Sequence, residues 1–266
     1  MLPIEFINLN KAIKSAGAAI LNYYGKQLQL DHKSTTADYR TIADIEAEKI
    51  IIKAIETLFP DYNIFAEEHG KIQKNSLYTF VIDPLDGTNN FILGVPVFTT
   101  SVALMKGKET IYGVINNPIT GDIYYAMKGK GAFLNDKPIT VSAENQERNI
   151  TVSYLCNYIT PKERVIEFKT KLTNLDVRRD LDLWASAFCY CSLASGKIEA
   201  IINDGIELYD FAAGKLIALE AGAKATCFSG KNLIDDTADA FIISNEDIVH
   251  SILVNHVTDS FHKTQE

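Results

Sequence analysis

The segment from Phe80 to Phe91 reads FVIDPLDGTNNF. An apolar run, Phe80-Val81-Ile82, leads straight into Asp83 and Asp86, which bracket Pro84-Leu85 and are followed by Gly87-Thr88. Bare carboxylates close together repel, and burying them is costly unless something positive compensates. Any fold open to this chain must therefore bring a strand of buried character to an end where a cation can reach both aspartates. The identity of that cation is the question the rest of the sequence has to answer.

The chain has 266 residues, 47% hydrophobic and 23% charged, enough for one large domain or two intimately packed ones with a sizeable core. Its formal net charge of -8 argues against a nucleic-acid surface, and the nearest basic cluster is only Lys128-Gly129-Lys130. Cys156, Cys189, Cys191 and Cys227 form no CxxC pair and read as reduced, buried thiols. The opening MLPIEFINLN has no basic segment followed by a long apolar one, and no apolar run approaches membrane-spanning length. The expectation is a cytoplasmic protein with no membrane partner.

Periodicity predicts an amphipathic helix from about Ile4 to Tyr24, stopped by Gly25, and a second from about Thr41 to Phe59, ended by Pro60. Short strands follow at Ile64-Phe65-Ala66, Thr79 to Ile82, Thr99 to Met105, Thr110 to Ile115 and Asp122 to Met127. The glycine-rich stretch Gly129 to Asn135 reads as a hairpin, since no P-loop lysine and Ser/Thr pair follows it. A polar segment at Ala143 to Arg148 marks a soft boundary, dividing the chain into halves 1–145 and 146–266. Beyond it come a strand at Asn149 to Tyr154, helices at Lys162 to Leu172 and Ala185 to Ser195, and a strand at Glu199 to Ile202. A helix headed by Asp210 runs to Ala221, and Phe241-Ile242-Ile243 forms a late strand before a helical tail. Strands and helices mix without regular βαβ alternation, which predicts layered α+β sheets.

Three segments place carboxylates at strand ends or helix starts: Glu67-Glu68, Asp83 with Asp86, and Asp210. Taken singly, each has a plainer reading as a solvated strand exit, a turn and an N-cap. Taken together they describe an oxygen-rich site suited to Mg²⁺, with Mn²⁺ as a substitute. The five histidines show no zinc-ligand spacing. Divalent cations would be the missing positive partner. Gly87 allows close backbone approach, exposed N–H groups there suit phosphate oxygens, and Thr88 supplies a hydroxyl to orient water. A carboxylate cage beside an N–H cradle is what hydrolysis of a phosphate ester requires, with metals typically about 3.5–4 Å apart.

Glu67-Glu68 after one strand, DPLDGTNNF after the next and YDFAAGKLIALEAGA near the C-terminus resemble the inositol monophosphatase family. The likeness includes KSTTADYRTIAD (Lys33 to Asp44) and GVINNPITGDIYYAMKGKGAFLNDKPI (Gly113 to Ile139), so it spans about Lys33 to Gly222. The resemblance implies a layered αβαβα sandwich and a Mg²⁺-dependent, lithium-sensitive phosphomonoesterase, commonly a homodimer. It implies that Glu67, Asp83 and the Leu85 carbonyl hold one metal and that Asp83, Asp86 and Asp210 hold a second, with a third, weaker ion near Glu67 in some members. Glu67 and Thr88 would position the attacking water, with Asp44 hydrogen-bonded to Thr88. Asp86 and the backbone N–H groups of Gly87 and Thr88 would lie at the phosphate. Glu68 reads as an outer, structural group, and Lys33 as a family position near the site or simply a surface lysine.

The substrate side departs from the family pattern. Trp184 and Ala185 stand where many members have Gly-Ser, so a bulky indole would reshape the pocket; its other reading is a core or dimer-interface aromatic. Asn203 stands where inositol-phosphate hydrolases usually have a glutamate that bonds ring hydroxyls, and Tyr209 replaces a tryptophan. The expected substrate is a small phosphorylated metabolite, inositol monophosphate-like by family. Open alternatives are 3′-phosphoadenosine 5′-phosphate, fructose 1,6-bisphosphate and histidinol phosphate. A non-enzymatic alternative is a family member that contacts the transcription or RNA-processing machinery.

Overall fold

The computed structural model describes residues 2–27, 31–32 and 39–258. Lys33 lies outside the described residues. In chain order the elements are α1 (Ile4–Leu21), β1 (Asp31–His32), β2 (Tyr39–Arg40), α2 (Ile42–Leu58), β3 (Asn63–Ala66), β4 (Gly70–Ile72), β5 (Tyr78–Asp86) and α3 (Thr88–Leu93). There follow β6 (Thr99–Lys106), β7 (Glu109–Asn117), β8 (Asp122–Met127), β9 (Ala132–Leu134) and β10 (Lys137–Ile139). A 3₁₀ turn at Glu147–Asn149 leads into β11 (Thr151–Cys156), α4 (Lys162–Asn174), β12 (Arg179–Asp180) and α5 (Ser186–Ala194). The chain continues through β13 (Ala200–Asp204), α6 (Leu208–Glu220), β14 (Lys224–Thr226), β15 (Ala240–Ser244) and α7 (Asp247–Thr258).

Strands β3 to β10 form one sheet of eight, ordered β10-β9-β8-β7-β6-β5-β3-β4, in which only the β3–β5 pair is parallel. Strands β11 to β15 form a second sheet, ordered β12-β11-β13-β15-β14. The side-chain alternation of β5 shows why the layers stack as they do. Phe80 and Ile82 point into one core with Leu9, Ile13, Ile51 and Ile55 of α1 and α2. Val81 points the other way, into a core shared with Tyr190 and Leu193 of α5, Phe211 and Ile217 of α6, and Ile201 and Ile243 of the second sheet. Beyond that sheet, Phe168 of α4 and Val249 and Leu253 of α7 cover Val152, Ile202 and Ile242. The order is thus αβαβα, and both faces of each sheet are covered, which is why the strands read as nearly continuous apolar runs and not as strict alternation.

Two glycines set how closely α6 can lie between its neighbours. A Cβ on Gly113 of β7 would stand 2.7 Å from the Ala213 carbonyl oxygen, and one on Gly214 would stand 2.5 Å from Tyr190 Cβ. The helix backbone therefore rests directly on the eight-stranded sheet and on α5. Lys215 is buried on the same helix, its Nζ 4.6 Å from the centre of the Phe241 ring and 3.3 Å from the Asp236 carbonyl oxygen.

Three sequence expectations need correction. Asp210 does not head α6: Glu207 is the N-cap and Asp210 sits at the third helical position, its Oδ2 accepting the Glu207 N–H at 3.1 Å. The strand ending at Ile82 runs on through Asp86, because the chain after the apolar run still pairs with β6. The cysteines are all free thiols, but only Cys189 and Cys191 are fully buried, while Cys156 and Cys227 are half-exposed at the ends of secondary-structure elements.

Candidate active site

The two aspartates of β5 meet on one face because of a bulge. Asp83 pairs with Ser101 and Asp86 with Thr99, so three steps along β5 match two along β6. In a regular strand, residues three apart point to opposite faces; one extra residue restores them to the same side. Pro84 supplies no N–H at the bulge, and its carbonyl takes the Thr100 hydroxyl at 2.9 Å. Asp83 Oδ1 accepts the Leu85 N–H at 3.0 Å.

Asp210 arrives from the other half of the chain. One carboxylate oxygen from each of Asp83, Asp86 and Asp210 lies within 4.8 Å of the others. Glu67, in the turn after β3, hydrogen-bonds Asp83 and adds its charge at the edge of the group. Burial first, then the facing charges of Glu67, Asp86 and Asp210, hold the Asp83 carboxyl well above the usual range. Asp210 is raised in the same direction, by burial and then by Glu67 and Asp86. Burial pushes Asp86 up to about 7, against hydrogen bonds that favour its anion. Those bonds come from the Thr99 hydroxyl at 2.9 Å and from the N–H groups of Ser186 at 2.8 Å and Ala187 at 3.0 Å, the first turn of α5. The start of α5 is thus docked on a carboxylate of β5, where the helix dipole favours negative charge.

Gly87 follows with φ +88° as the N-cap of α3. A Cβ there would be 3.0 Å from the Val97 carbonyl oxygen and 3.1 Å from Ala185 Cβ, so glycine is required both by conformation and by space. Thr88 Oγ1 lies 2.9 Å from the Leu85 carbonyl oxygen and 3.3 Å from Asp44 Oδ1. Asp44 is itself buried, its Oδ2 accepting the Thr41 N–H at 2.8 Å in the capping box that opens α2. The oxygens gathered at the cage are carboxylate oxygens, protonation is favoured for want of a counter-charge, and among the described residues no histidine or thiol joins them. Such a set fits a hard divalent cation.

The carboxylates open into a cavity of about 970 Å³ lined by both halves of the chain. Glu67, Asp83, Leu85, Asp86, Gly87, Thr88, Trp184 and Asp210 all line it. Asn203 does not line it, so the expected contact with substrate hydroxyls is not made by this side chain. It is fully buried in β13, its Oδ1 accepting the Tyr190 hydroxyl at 2.7 Å and its amide nitrogen donating to the Asp239 carbonyl at 2.5 Å. Its neighbour Asp204 points to the other face of the sheet, where Arg164 Nε at 2.7 Å and the Tyr154 hydroxyl at 2.8 Å satisfy it. Glu68 is structural: its N–H donates to Glu48 at 2.8 Å and its carboxylate faces Arg40.

Sequence reasoning missed two groups of this cavity. Glu207, the N-cap of α6, and Asn157, after β11, line it together, with Asn157 Nδ2 3.4 Å from Glu207 Oε1. Lys169 of α4 and Asp182 line it as an ion pair at 3.1 Å. The signal for Glu207 lay in plain view as the residue three before Asp210; nothing in the local sequence marks Lys169 or Asp182. Trp184 carries φ +51°, which a bulky side chain rarely adopts and which costs about 1–2 kcal/mol. The position thus has a backbone geometry that glycine adopts more easily than any bulky residue.

Comparisons with known proteins agree with this architecture. A fructose-1,6-bisphosphatase/inositol-1-monophosphatase of Thermotoga maritima is 33% identical over 249 residues, covering 94% of each chain. The Nus factor SuhB of Pasteurella multocida is 33% identical over 229 residues, 83% of this chain and 84% of that protein. The crystal structure of the extragenic suppressor protein suhB from Bartonella henselae superposes with a TM-score of 0.86 at 29% identity, covering 94% of this chain and 97% of that one. The model of the inositol monophosphatase family matches residues 4–262, nearly the whole sequence. This chain belongs to the inositol monophosphatase family.

Proposed function

We propose that this protein hydrolyses a small phosphorylated metabolite, inositol monophosphate-like by family, with the cage at Asp83, Asp86 and Asp210 as its divalent-metal centre. The observation that carries the reading is the convergence of those three carboxylates within 4.8 Å beside the glycine-required turn at Gly87. Glu67, Asp83 and the Leu85 carbonyl would hold one Mg²⁺, and Asp83, Asp86 and Asp210 a second; a third near Glu67 and Mn²⁺ in place of Mg²⁺ fit the same oxygen donors. When bound, such ions make water a nucleophile near neutral pH and neutralise charge on the attacking and leaving oxygens.

The chain's own groups do the positioning. Thr88 Oγ1 gives its proton toward the Leu85 carbonyl or Asp44, which leaves its lone pairs to accept from a water. Asp44 is fixed by Thr41, so the acceptor it offers the hydroxyl is held in place. Glu67, hydrogen-bonded to Asp83 beside the cage, would take that water's proton. The N–H groups of Gly87 and Thr88 start α3 without intrahelical acceptors and would hold the phosphate oxygens. Lithium sensitivity, homodimer formation and a cytoplasmic location belong to the same reading. Among the described residues no helix is long and apolar enough to cross a membrane.

The test is phosphate release from inositol 1-phosphate, fructose 1,6-bisphosphate, 3′-phosphoadenosine 5′-phosphate and histidinol phosphate, with Mg²⁺ and with a chelator. Turnover of at least one ester that vanishes with the chelator supports the reading; no turnover of any ester by folded, Mg²⁺-loaded protein overturns it. The relatives named Nus factors carry a second reading, contact with the transcription machinery. Capture of transcription factors by an Asp83→Asn variant as readily as by the wild type would support it.

A further inference from the structure

The wall of the cavity beside the phosphate cradle is aromatic and apolar, and it is held there by strain and hydrogen bonds. Trp184, the one tryptophan of the chain, is 61% exposed yet lines the cavity. The backbone on either side of it is pinned to the other half of the molecule: Asn90 Nδ2 donates to the Leu183 carbonyl at 2.6 Å, and the Ser186 N–H donates to Asp86 at 2.8 Å. Between those two anchors the chain turns through the left-handed region at Trp184, with φ +51°. A glycine would relieve that conformation, so the indole is kept at the mouth against a local backbone penalty, as is common for residues with a role in ligand binding.

Tyr158 lines the same cavity, 57% exposed, with its hydroxyl accepting the Asn89 Nδ2 at 2.8 Å. Asn89 follows Thr88 in α3, so this ring too is tied to the phosphate cradle. Leu93, at the end of the same helix, adds apolar surface and is 65% exposed. Asn203, where a group reading a polyol's hydroxyls was expected, is buried behind Tyr190 and does not line the cavity. The polar partners that remain are in pairs, Lys169 with Asp182 and Asn157 with Glu207, each offering a donor beside an acceptor. That arrangement suits the edge of a flat heterocycle lying with its face on a ring.

Building on the phosphomonoesterase reading above, we propose that Trp184 and Tyr158 form a stacking subsite, and that the substrate's alcohol portion carries a planar, unsaturated ring, most favourably a heteroaromatic one. Aromatic faces stack any such ring without reading its sequence of atoms, and the paired polar groups then select among them.

The test pairs turnover with fluorescence. Phosphate release is measured with Mg²⁺ on two planar esters, histidinol phosphate and adenosine 3′-phosphate, and on two saturated ones, inositol 1-phosphate and β-glycerophosphate. The variants are Trp184→Gly, which suits the left-handed backbone and so keeps the fold, and Trp184→Phe, which keeps a ring. The proposal expects kcat/KM for the better planar ester to exceed that of both saturated esters at least tenfold. It expects Trp184→Gly to reduce that ratio tenfold or more and Trp184→Phe to restore most of it. In the wild type the emission of the sole tryptophan should be quenched saturably by the planar ester and not by β-glycerophosphate. Turnover with a planar-to-saturated ratio that Trp184→Gly leaves unchanged overturns the subsite while leaving the phosphatase reading intact. A Trp184→Gly variant that changes sedimentation but not the ratio assigns the indole to an interface between copies and overturns it equally. Absence of turnover on all four esters and on fructose 1,6-bisphosphate and 3′-phosphoadenosine 5′-phosphate as well overturns the phosphatase reading itself.

Discussion

Replacing Asp83 by asparagine should make the metal-free protein more stable and Mg²⁺ unable to stabilise it further. Asp83 is 2% exposed and shares a 4.8 Å cluster with Asp86 and Asp210. At an effective dielectric of about 20, two full charges at that separation repel by about 3.5 kcal/mol. Proton uptake by the raised carboxyls relieves part of this, so a net gain of about 1–3 kcal/mol is expected from removing one titrating group. The amide fits the space: its Oδ1 can keep the Leu85 N–H, and its Nδ2 can donate to Glu67 in place of the shared proton. For a chain of this size the gain corresponds to a melting temperature higher by roughly 3–10 °C. The wild type, by contrast, should gain about 2.7 kcal/mol at a Mg²⁺ concentration of about 100 Kd, because the metal binds only the folded state. The assay is thermal unfolding of both proteins with and without Mg²⁺. A variant that melts below the metal-free wild type, or that Mg²⁺ stabilises as fully as the wild type, would refute the claim that these carboxylates repel one another until a cation joins them.

Gly113→Ala should lower stability by about 2–3 kcal/mol through overpacking against the Ala213 carbonyl, and should weaken Mn²⁺ binding as well, since α6 carries Asp210; calorimetry and Mn²⁺ titration read the two effects. Gly87→Ala should leave a folded protein with phosphate release reduced at least a hundredfold, because φ +88° and the 3.0 Å approach of Val97 both resist a side chain at the cradle; turnover within threefold of wild type would contradict this. His250 should stay neutral in the fold. The Thr226 hydroxyl donates to the Cys227 carbonyl at 2.9 Å, so it must accept from His250 Nε2–H, and Nδ1 then accepts from Ser244. Burial pulls its pKa from 6.5 down to about 4, so the unfolded chain binds the extra proton first. Its contribution is complete above about pH 6.5 and falls by about 3 kcal/mol as the pH drops to about 4. Urea unfolding of wild type and His250→Gln across pH 4–7.5 should show a shallower acid loss in the variant.

Much of this was legible in the sequence for physical reasons. The five layers follow from runs of β5-like apolar residues long enough to need cover on both faces, and from helices whose apolar positions recur at three and four. The motif DPLDGT encodes its own geometry: proline at the bulge, aspartates on either side of it, and the one residue that tolerates the turn before α3. Asp210 is legible only as a helix-start acid; its meeting with Asp83 depends on Gly113 and Gly214 letting α6 sink onto the sheet, and no local pattern states that a helix and a strand a hundred residues apart touch there. The substrate side was the least legible. Strand parity decides which of Asn203 and Asp204 faces which way, but both are consumed by internal partners, Tyr190 and Arg164, that are neighbours only in three dimensions. Trp184 stood out as an exception in the sequence, and its positive φ explains why glycine is the easier choice there.

The central claim is that acidic groups from both halves of the chain gather to hold divalent cations. Anomalous scattering from crystals soaked in Mn²⁺ and phosphate tests it most directly. The account predicts at least one strong peak enclosed by Asp83, Asp86 and Asp210, with phosphate density between it and the N–H groups of Gly87 and Thr88. Saturated crystals with no peak at those three carboxylates, or an undiminished peak in an Asp210→Asn variant, would contradict it.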